Sequence, residues 1–344
     1  YDLVNMLLSY VDLYPFEIIV SNNGSTNDTL ADYEKIAQIN HPRLHYHKNN
    51  TNLGFVGNFH TILSLSKTLF SMILSDEDFL NTDELTTLFS LLERNDNIGL
   101  MLSLTTNTDD IIVPSFKNQI NQLTILNIIG NTYISGVIYN NQAIKKLNIL
   151  EKLKIIPQEN ALYTLYPHLL VNLLLADEYP CLFLKAEPIL RGKIEESSLV
   201  HEKIEAEYNL FEYARHENRA KEFYDFIWLL LFFFGQGEER KTLDQILCFF
   251  DIIANKYLFL MNLSAYLYTR LSVTDPNLAT PQEIFTLYEK TFDVCFKFII
   301  ETYGLYEADI AYEQQKQLHW NNVKQLFIAS LKQNKSRSLL EDFI

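Results

Sequence analysis

Glu17-Ile18-Ile19-Val20-Ser21-Asn22-Asn23-Gly24-Ser25-Thr26-Asn27-Asp28 is the stretch from which the fold can be read. Glu17 to Ser21 reads as a buried strand. Asn22 to Ser25 ends it, because short polar side chains and a glycine favour a turn. A helix is expected at once: Thr26, Asn27 or Asp28 can cap it, and Leu30, Tyr33, Ile36 and Ala37 keep helical spacing. The same rhythm repeats downstream. A second short strand around Leu44 to His47 leads into Asn49-Asn50-Thr51-Asn52-Leu53-Gly54, and Phe59, Ile62, Leu63 and Leu65 mark the next helix. Leu69 to Leu74 reads as a third strand, stopped by Ser75-Asp76-Glu77-Asp78, with a helix beginning near Thr82. Strand, helix, strand, helix, strand implies βαβ units, a parallel sheet and a ligand at the carboxyl ends of the strands. Upstream, Leu3, Val4, Leu7, Leu8 and Val11 form an amphipathic helix already under way at Tyr1, so residues before Tyr1 are expected.

Further along the pattern changes. Tyr133 to Tyr139 reads as a strand containing a glycine, and Leu182 to Leu184 as another short one. After about Glu195 strands largely disappear. Tyr208 to Phe234, Leu243 to Leu271, Pro281 to Tyr303 and Glu307 to Leu331 read as long, aromatic-rich helices. The expected division is an α/β domain over residues 1–195 and a helical domain over 196–344, with no internal repeat.

Composition limits the function. Of 344 residues, 48% are hydrophobic and 21% charged, enough apolar material for packed cores. The net charge of -15 repels a phosphate backbone and weakens electrostatic docking on an anionic membrane, which argues against nucleic acid as a partner. Cys181, Cys248 and Cys295 match no zinc spacing and are too few and too scattered for a disulfide framework, so a reducing compartment is expected. The most apolar run, Phe226 to Phe234, is nine residues, too short to span a bilayer. It reads as helical core, with peripheral membrane contact as the functional alternative. His41, His45 and His47 have a spacing that suits no common helical zinc site.

Ser75-Asp76-Glu77-Asp78 carries the most chemistry. Acidic side chains crowded at a strand end repel one another, and a cation or a donor-rich ligand offsets that repulsion. On an extended segment Asp76 and Asp78 share one side and can both face one Mg²⁺ or Mn²⁺, with diphosphate oxygens completing the shell. The plain alternative is a solvated acidic turn that caps the following helix. For Asn22 to Asp28 the alternatives are reading the polar edge of a base or ribose and simple turn chemistry.

In this order and spacing, Val20 to Asp28, Asn52/Gly54/Asn58 and Asp76/Asp78 resemble the GT-A nucleotide-binding half of glycosyltransferase family 2. That family carries a V-D-N-G-S-T-D-D-like turn, then N-x-G-x-x-x-N, then an apolar strand ending in D-x-D. Within it, the abequosyltransferase-like branch of bacterial surface-polysaccharide enzymes is the most similar, sharing a later S-G segment comparable with Ser135-Gly136-Val137-Ile138-Tyr139. The resemblance runs from about Leu3 to Leu92 and thins towards Gly192. It implies a Rossmann-like, mostly parallel sheet flanked by helices, followed here by the all-α domain. It also implies inverting transfer of a sugar from a nucleotide diphosphate, most often UDP, to a hydroxyl of a glycan or lipid-linked glycan acceptor. The work would be cytoplasmic, possible at the periphery of the inner membrane. The family's first strand would end just before Tyr1.

By that resemblance Asp78 holds the divalent cation, Mn²⁺ or Mg²⁺, and Asp76 lies beside the ribose and the metal, with Glu77 between them. Asn22 stands where the family has a base-reading aspartate. Asn23, Ser25, Asn52, Gly54, Asn58, Ser135 and Gly136 line the substrate site. Where the family offers an E-D pair as base, this chain has Tyr166-Pro167-His168. His168 is the candidate base, because an imidazole titrates near neutral pH, with Glu159 as the alternative. Arg191 and Lys193 could close over the diphosphate. Two rivals stand: a nucleotidyltransferase, for which no glycine- and lysine-rich phosphate loop is seen, and a non-catalytic module that keeps the fold as a scaffold.

Overall fold

The computed structural model describes residues 1–26, 30–76, 78–103, 109–117, 122–131, 133–185, 187–190, 215–238, 240–270, 280–305 and 312–333. They fall into two compact units. The first comprises Tyr1–Gln119, Asn131–Glu159 and Tyr163–Ile194, and the second Ile120–Gly130, Asn160–Leu162 and Glu195–Ile344.

In the first unit α1 (Asp2–Leu8) precedes β1 (Ile18–Asn22), α2 (Leu30–Ala37), β2 (Leu44–Lys48), α3 (Gly54–Leu65) and β3 (Phe70–Met72). β1 and β2 pair in parallel, from Ile18 opposite Leu44 to Asn22 opposite Lys48. Helix α3 packs on β1 and buries Phe59 and Leu63, two of the residues whose spacing predicts it. The chain continues through β4 (Phe79–Leu80), a 3-10 turn at Thr82–Glu84, α4 (Leu85–Arg94), β5 (Leu100–Ser103) and β6 (Ile111–Val113). After α5 (Gln122–Gly130), which belongs to the second unit, come β7 (Ile138–Asn140), α6 (Asn141–Lys146), α7 (Ile149–Lys154), α8 (Ala161–Leu165), α9 (Pro167–Glu178), β8 (Cys181–Leu184) and β9 (Ile189–Leu190).

Five of these strands form one sheet in the order β3-β7-β5-β8-β6. The expected mostly parallel sheet is mixed. β5 and β8 are parallel, but β7 runs antiparallel to both β3 and β5, and β6 antiparallel to β8. The direction of β7 follows from how the chain reaches it. Before Ile138 it runs back along the end of β3, with Gly136 N–H donating to the Ile73 carbonyl at 2.8 Å and Ile73 N–H to the Val137 carbonyl at 3.1 Å. The strand expected over Tyr133 to Tyr139 is cut short by the turn at Ser135-Gly136, where Gly136 has φ +83°. Asn140 and Asn141 fasten the junction. Asn140 Oδ1 caps α6 by accepting from Gln142 and Ala143 N–H, and its amide donates to the Asp96 and Ile98 carbonyls. Asn141 Nδ2 donates to Ser66 Oγ at 2.7 Å, and its Oδ1 accepts from Ser71 Oγ at 3.0 Å. Leu88, Ile98, Met101, Ile138, Leu182 and Leu184 form the core beneath the sheet.

The second unit is built on α11 (Leu243–Arg270), which packs against α5, α10 (His216–Phe234), α12 (Pro281–Thr302) and α13 (Tyr312–Gln333). Its centre is aromatic: the Phe223 ring stacks on Tyr257 at 5.3 Å and on Phe250 at 6.0 Å, and Phe250 meets Phe292 at 4.8 Å. The Tyr288 hydroxyl, buried in the same cluster, donates to the Ala254 carbonyl. In the run Phe226 to Phe234, Phe226, Ile227, Leu229, Leu230 and Leu231 are buried, while Trp228 stacks half-buried on Phe232 at 5.1 Å. Among the described residues no helix is long and apolar enough to cross a membrane.

Sequence periodicity gives no hint of the polar pairs in this unit. His319 Nδ1 lies 2.8 Å from Asp251 Oδ1, and Asn322 Nδ2 donates to the other oxygen. Arg219 pairs with Glu222 at 2.8 Å, and Lys256 Nζ donates to the Ile129 carbonyl of α5 at 2.9 Å. Burial pushes the Lys256 amine down to about 7, against the pull of Glu222 and with repulsion from Arg219. Between about pH 7 and 10 the unfolded chain therefore holds a proton that the folded one has released, so this residue makes stability climb with pH over that window. In melting curves recorded across it, Lys256→Met is expected to show a flatter climb than the wild type; parallel curves would contradict the buried-amine assignment.

Candidate active site

Parallel pairing of β1 and β2 sends both following loops out at one edge, where their polar groups must satisfy one another. Asn23 is the centre of that exchange. Its Oδ1 accepts from Asn49 Nδ2 and Leu53 N–H, both at 3.0 Å, and its Nδ2 donates to Asn52 Oδ1 at 2.9 Å and the Gly54 carbonyl at 3.1 Å. Asn58 Oδ1, at the start of α3, accepts from Ser21 Oγ at 2.6 Å and Asn49 Nδ2 at 3.3 Å. The first two motifs are thus one hydrogen-bonded network that holds Asn23, Asn52, Gly54 and Asn58 together. Gly24 makes the close approach possible. It has φ +71°, and a Cβ there would lie 2.6 Å from the Thr51 carbonyl carbon.

Asn22 differs from its expected role. Its side chain is 0% exposed, with Oδ1 accepting from Ser25 N–H at 2.8 Å and Nδ2 donating to the Tyr46 hydroxyl at 3.0 Å. Here it clamps a turn and aims a tyrosine. The Tyr46 phenol that it holds is half-buried, on the same face of β2 as Leu44 and Lys48. Tyr33 of α2 stands nearby: burial raises its phenol pKa, and the negative charges of Asp76 and Tyr46 add to the rise. That coupling brings α2, β2 and the acidic turn around one region. Neither tyrosine stands out in the sequence, since each occupies an ordinary amphipathic position.

The acidic motif is a turn rather than an extended segment. Asp78 N–H donates to the Ser75 carbonyl at 3.1 Å, and the two carboxylates differ in access: Asp76 is exposed and Asp78 is 1% exposed. The 133–137 segment holds the turn from beside it. Ser75 N–H donates to Ser135 Oγ at 3.1 Å, and the Tyr133 hydroxyl donates to Asp78 Oδ2 at 2.5 Å. On the other flank β4 pairs with β9, Asn81 Nδ2 donates to the Glu187 carbonyl, and Ile189 sits 3.1 Å from where a Gly136 Cβ would be. Ser135 and Gly136 therefore lie along this stretch of chain, bonded to Ser75 and to Ile73. Glu77, Arg191 and Lys193 lie outside the described residues.

As a donor set this turn is all oxygen: two carboxylates, with the Tyr133 hydroxyl fixing one of them. Such hard donors fit Mg²⁺ or Mn²⁺, ions that take a few carboxylate oxygens and complete their shell from phosphate and water. Among the described residues no group of three or more His, Cys, Asp or Glu side chains gathers around a metal position. The two candidate bases differ in access. His168 is 1% exposed inside α9, where every residue from Pro167 to Ala176 is buried, and its ring meets Tyr166 edge-on at 6.1 Å. Glu159 is exposed just before α8.

Residues 2–146 match the model of the family described as Glycosyl transferase family 2. No curated protein sequence matches the chain. Among solved structures, the crystal structure of S. aureus TarS 1-349 is 16% identical, with 74% of this chain and 77% of that chain covered at a TM-score of 0.40. The family match covers less than half of the chain; the fold itself is α/β of the GT-A type, with a mixed sheet flanked by helices and an all-helical region after it.

Because Gly24 combines a left-handed backbone with contact against Thr51, Gly24→Ala is expected to cost roughly 1–3 kcal/mol. Thermal unfolding should show this as a fall of several degrees; an unchanged melting temperature would mean that the two loops are not locked together there.

Proposed function

We propose that the protein is a glycosyltransferase that moves a sugar from a nucleotide diphosphate to a hydroxyl of a bacterial surface glycan or its lipid-linked precursor, with inversion and with a divalent cation. The observation that carries this reading is that residues matching the family model hold an Asn22–Ser25 turn bonded to Tyr46 and a Ser75–Asp78 turn whose Asp76 charge acts on Tyr33. In it, Tyr33 and Tyr46 border the nucleoside, with Asn22 fixing the Tyr46 hydroxyl, and Asp76 and Asp78 hold the cation. When bound, the cation would stabilise the departing diphosphate. The chain's own part is to orient the donor so that the acceptor oxygen attacks the anomeric carbon in line, and to remove the acceptor proton.

For that last step the base must reach an acceptor hydroxyl, and exposure favours Glu159 over the enclosed His168. The acidic net charge favours work without nucleic acid, and a lipid-linked acceptor at the cytoplasmic membrane face would be met by peripheral contact of the helical unit.

The test is sugar-nucleotide turnover with and without Mn²⁺. Asp76→Ala and Asp78→Ala, each confirmed as folded by its melting curve, are expected to lose the metal-dependent rate by 100-fold or more, on the order of 3 kcal/mol. Glu159→Gln should lose turnover while His168→Ala keeps it. Full activity in both aspartate variants would overturn the site, and nucleotide binding with no turnover in the wild type would favour the non-catalytic scaffold.

A further inference from the structure

We propose that Tyr133 is the positioning residue of the acidic turn: its phenol orients the Asp78 carboxylate towards the cation and diphosphate. The proposal rests on the glycosyl-transfer reading above, and adds to it a residue that neither the three motifs nor the S-G segment contains.

Three observations carry it. The contact itself is short and charge-assisted, with the hydroxyl 2.5 Å from Asp78 Oδ2, across 55 residues of sequence. Next, the tyrosine arrives there by construction. The antiparallel run of 133–137 against the end of β3 is held by Gly136 N–H, Ile73 N–H and Ser135 Oγ, so the backbone that bears Tyr133 is tied to the backbone that bears Asp78. Finally, Asp78 is nearly sealed from solvent, so water cannot set the direction of its carboxylate, and its protein partners must. Asp76, two residues earlier and exposed, stands in the opposite situation. A carboxylate that ligates a metal is commonly oriented by a donor behind it, and loss of that donor typically costs 10–100-fold in metal affinity. A phenol suits the task because its ring is rigid and its reach long.

The experiment is a Mn²⁺ titration, followed by the electron paramagnetic resonance signal of the free ion, on the folded chain with whichever of UDP, GDP, CDP or dTDP binds the wild type. Tyr133→Phe is expected to weaken Mn²⁺ binding about tenfold or more. Its affinity for the same nucleotide without metal should stay within about twofold, a split that general loosening of the fold would not produce. Asp78→Asn, close to isosteric, should weaken Mn²⁺ at least as much. Unchanged or tighter Mn²⁺ binding in Tyr133→Phe overturns the proposal, as does a Tyr133→Phe loss that Asp78→Asn does not share. A wild type that binds Mn²⁺ with none of the four nucleotides overturns the glycosyl-transfer reading and this inference with it. A wild type that binds them normally beside an unaffected Tyr133→Phe overturns this inference alone.

Discussion

Everything at the candidate site depends on the parallel pairing of β1 with β2. Two parallel strands of matched register must deliver both of their outgoing loops to the same edge, and those loops carry backbone N–H and carbonyl groups that a ladder no longer satisfies. In this chain the debt is met with asparagine. Asn23, Asn49, Asn52 and Asn58 exchange amide hydrogen bonds with one another and with Leu53, Gly54 and Ser21, and Gly24 lets the two loops touch. Since an amide both donates and accepts, it can close such a network without charge, which leaves the acidic side chains of the neighbouring turn as the local source of negative potential.

The second constraint is the return of β7 between β3 and β5. Antiparallel to both, it lays residues 133–137 against the end of β3 and gives the acidic turn a wall of hydroxyls, from Tyr133 and Ser135. The two halves of the site therefore have different origins. One arises from adjacent βαβ loops, local in sequence. The other needs partners some 55 to 60 residues away and forms only once the mixed sheet has closed. Mutations on the two sides should differ accordingly: those near Gly24 act on local folding, and those near Tyr133 on the geometry of a group already in place.

That difference in origin also explains what could be read in advance. The strands Ile18–Asn22 and Leu44–Lys48 and the helix Gly54–Leu65 follow from alternation, turn residues and helical spacing, all local signals, and the structure has them within a residue or two. The direction of β7 was not legible, because Tyr133 to Tyr139 reads as a plain strand whichever way it pairs. The same holds for Asp78, whose burial comes from a turn closed on Ser75 and from a tyrosine far along the chain, where alternation suggested a side chain open like Asp76. Asn22 shows the limit of arguing from motif position. Its place in the turn was correct, yet both polar atoms are committed to Ser25 and Tyr46, and only three-dimensional contacts could reveal that. In the helical unit the aromatic core was legible from composition and spacing, whereas the Arg219–Glu222 and Asp251–His319 pairs depend on contacts that periodicity does not encode.

The central claim is that this edge binds a nucleotide diphosphate together with a cation. The most direct measurement is a thermal-shift comparison of UDP, GDP, CDP and dTDP, each with and without Mn²⁺. A ligand that binds only the folded state at about 100 times its dissociation constant adds about 2.7 kcal/mol, a rise of several degrees. The account predicts such a rise for one nucleotide in the presence of Mn²⁺, and a clearly smaller one without it. No shift with any nucleotide, or a shift indifferent to Mn²⁺, would contradict it.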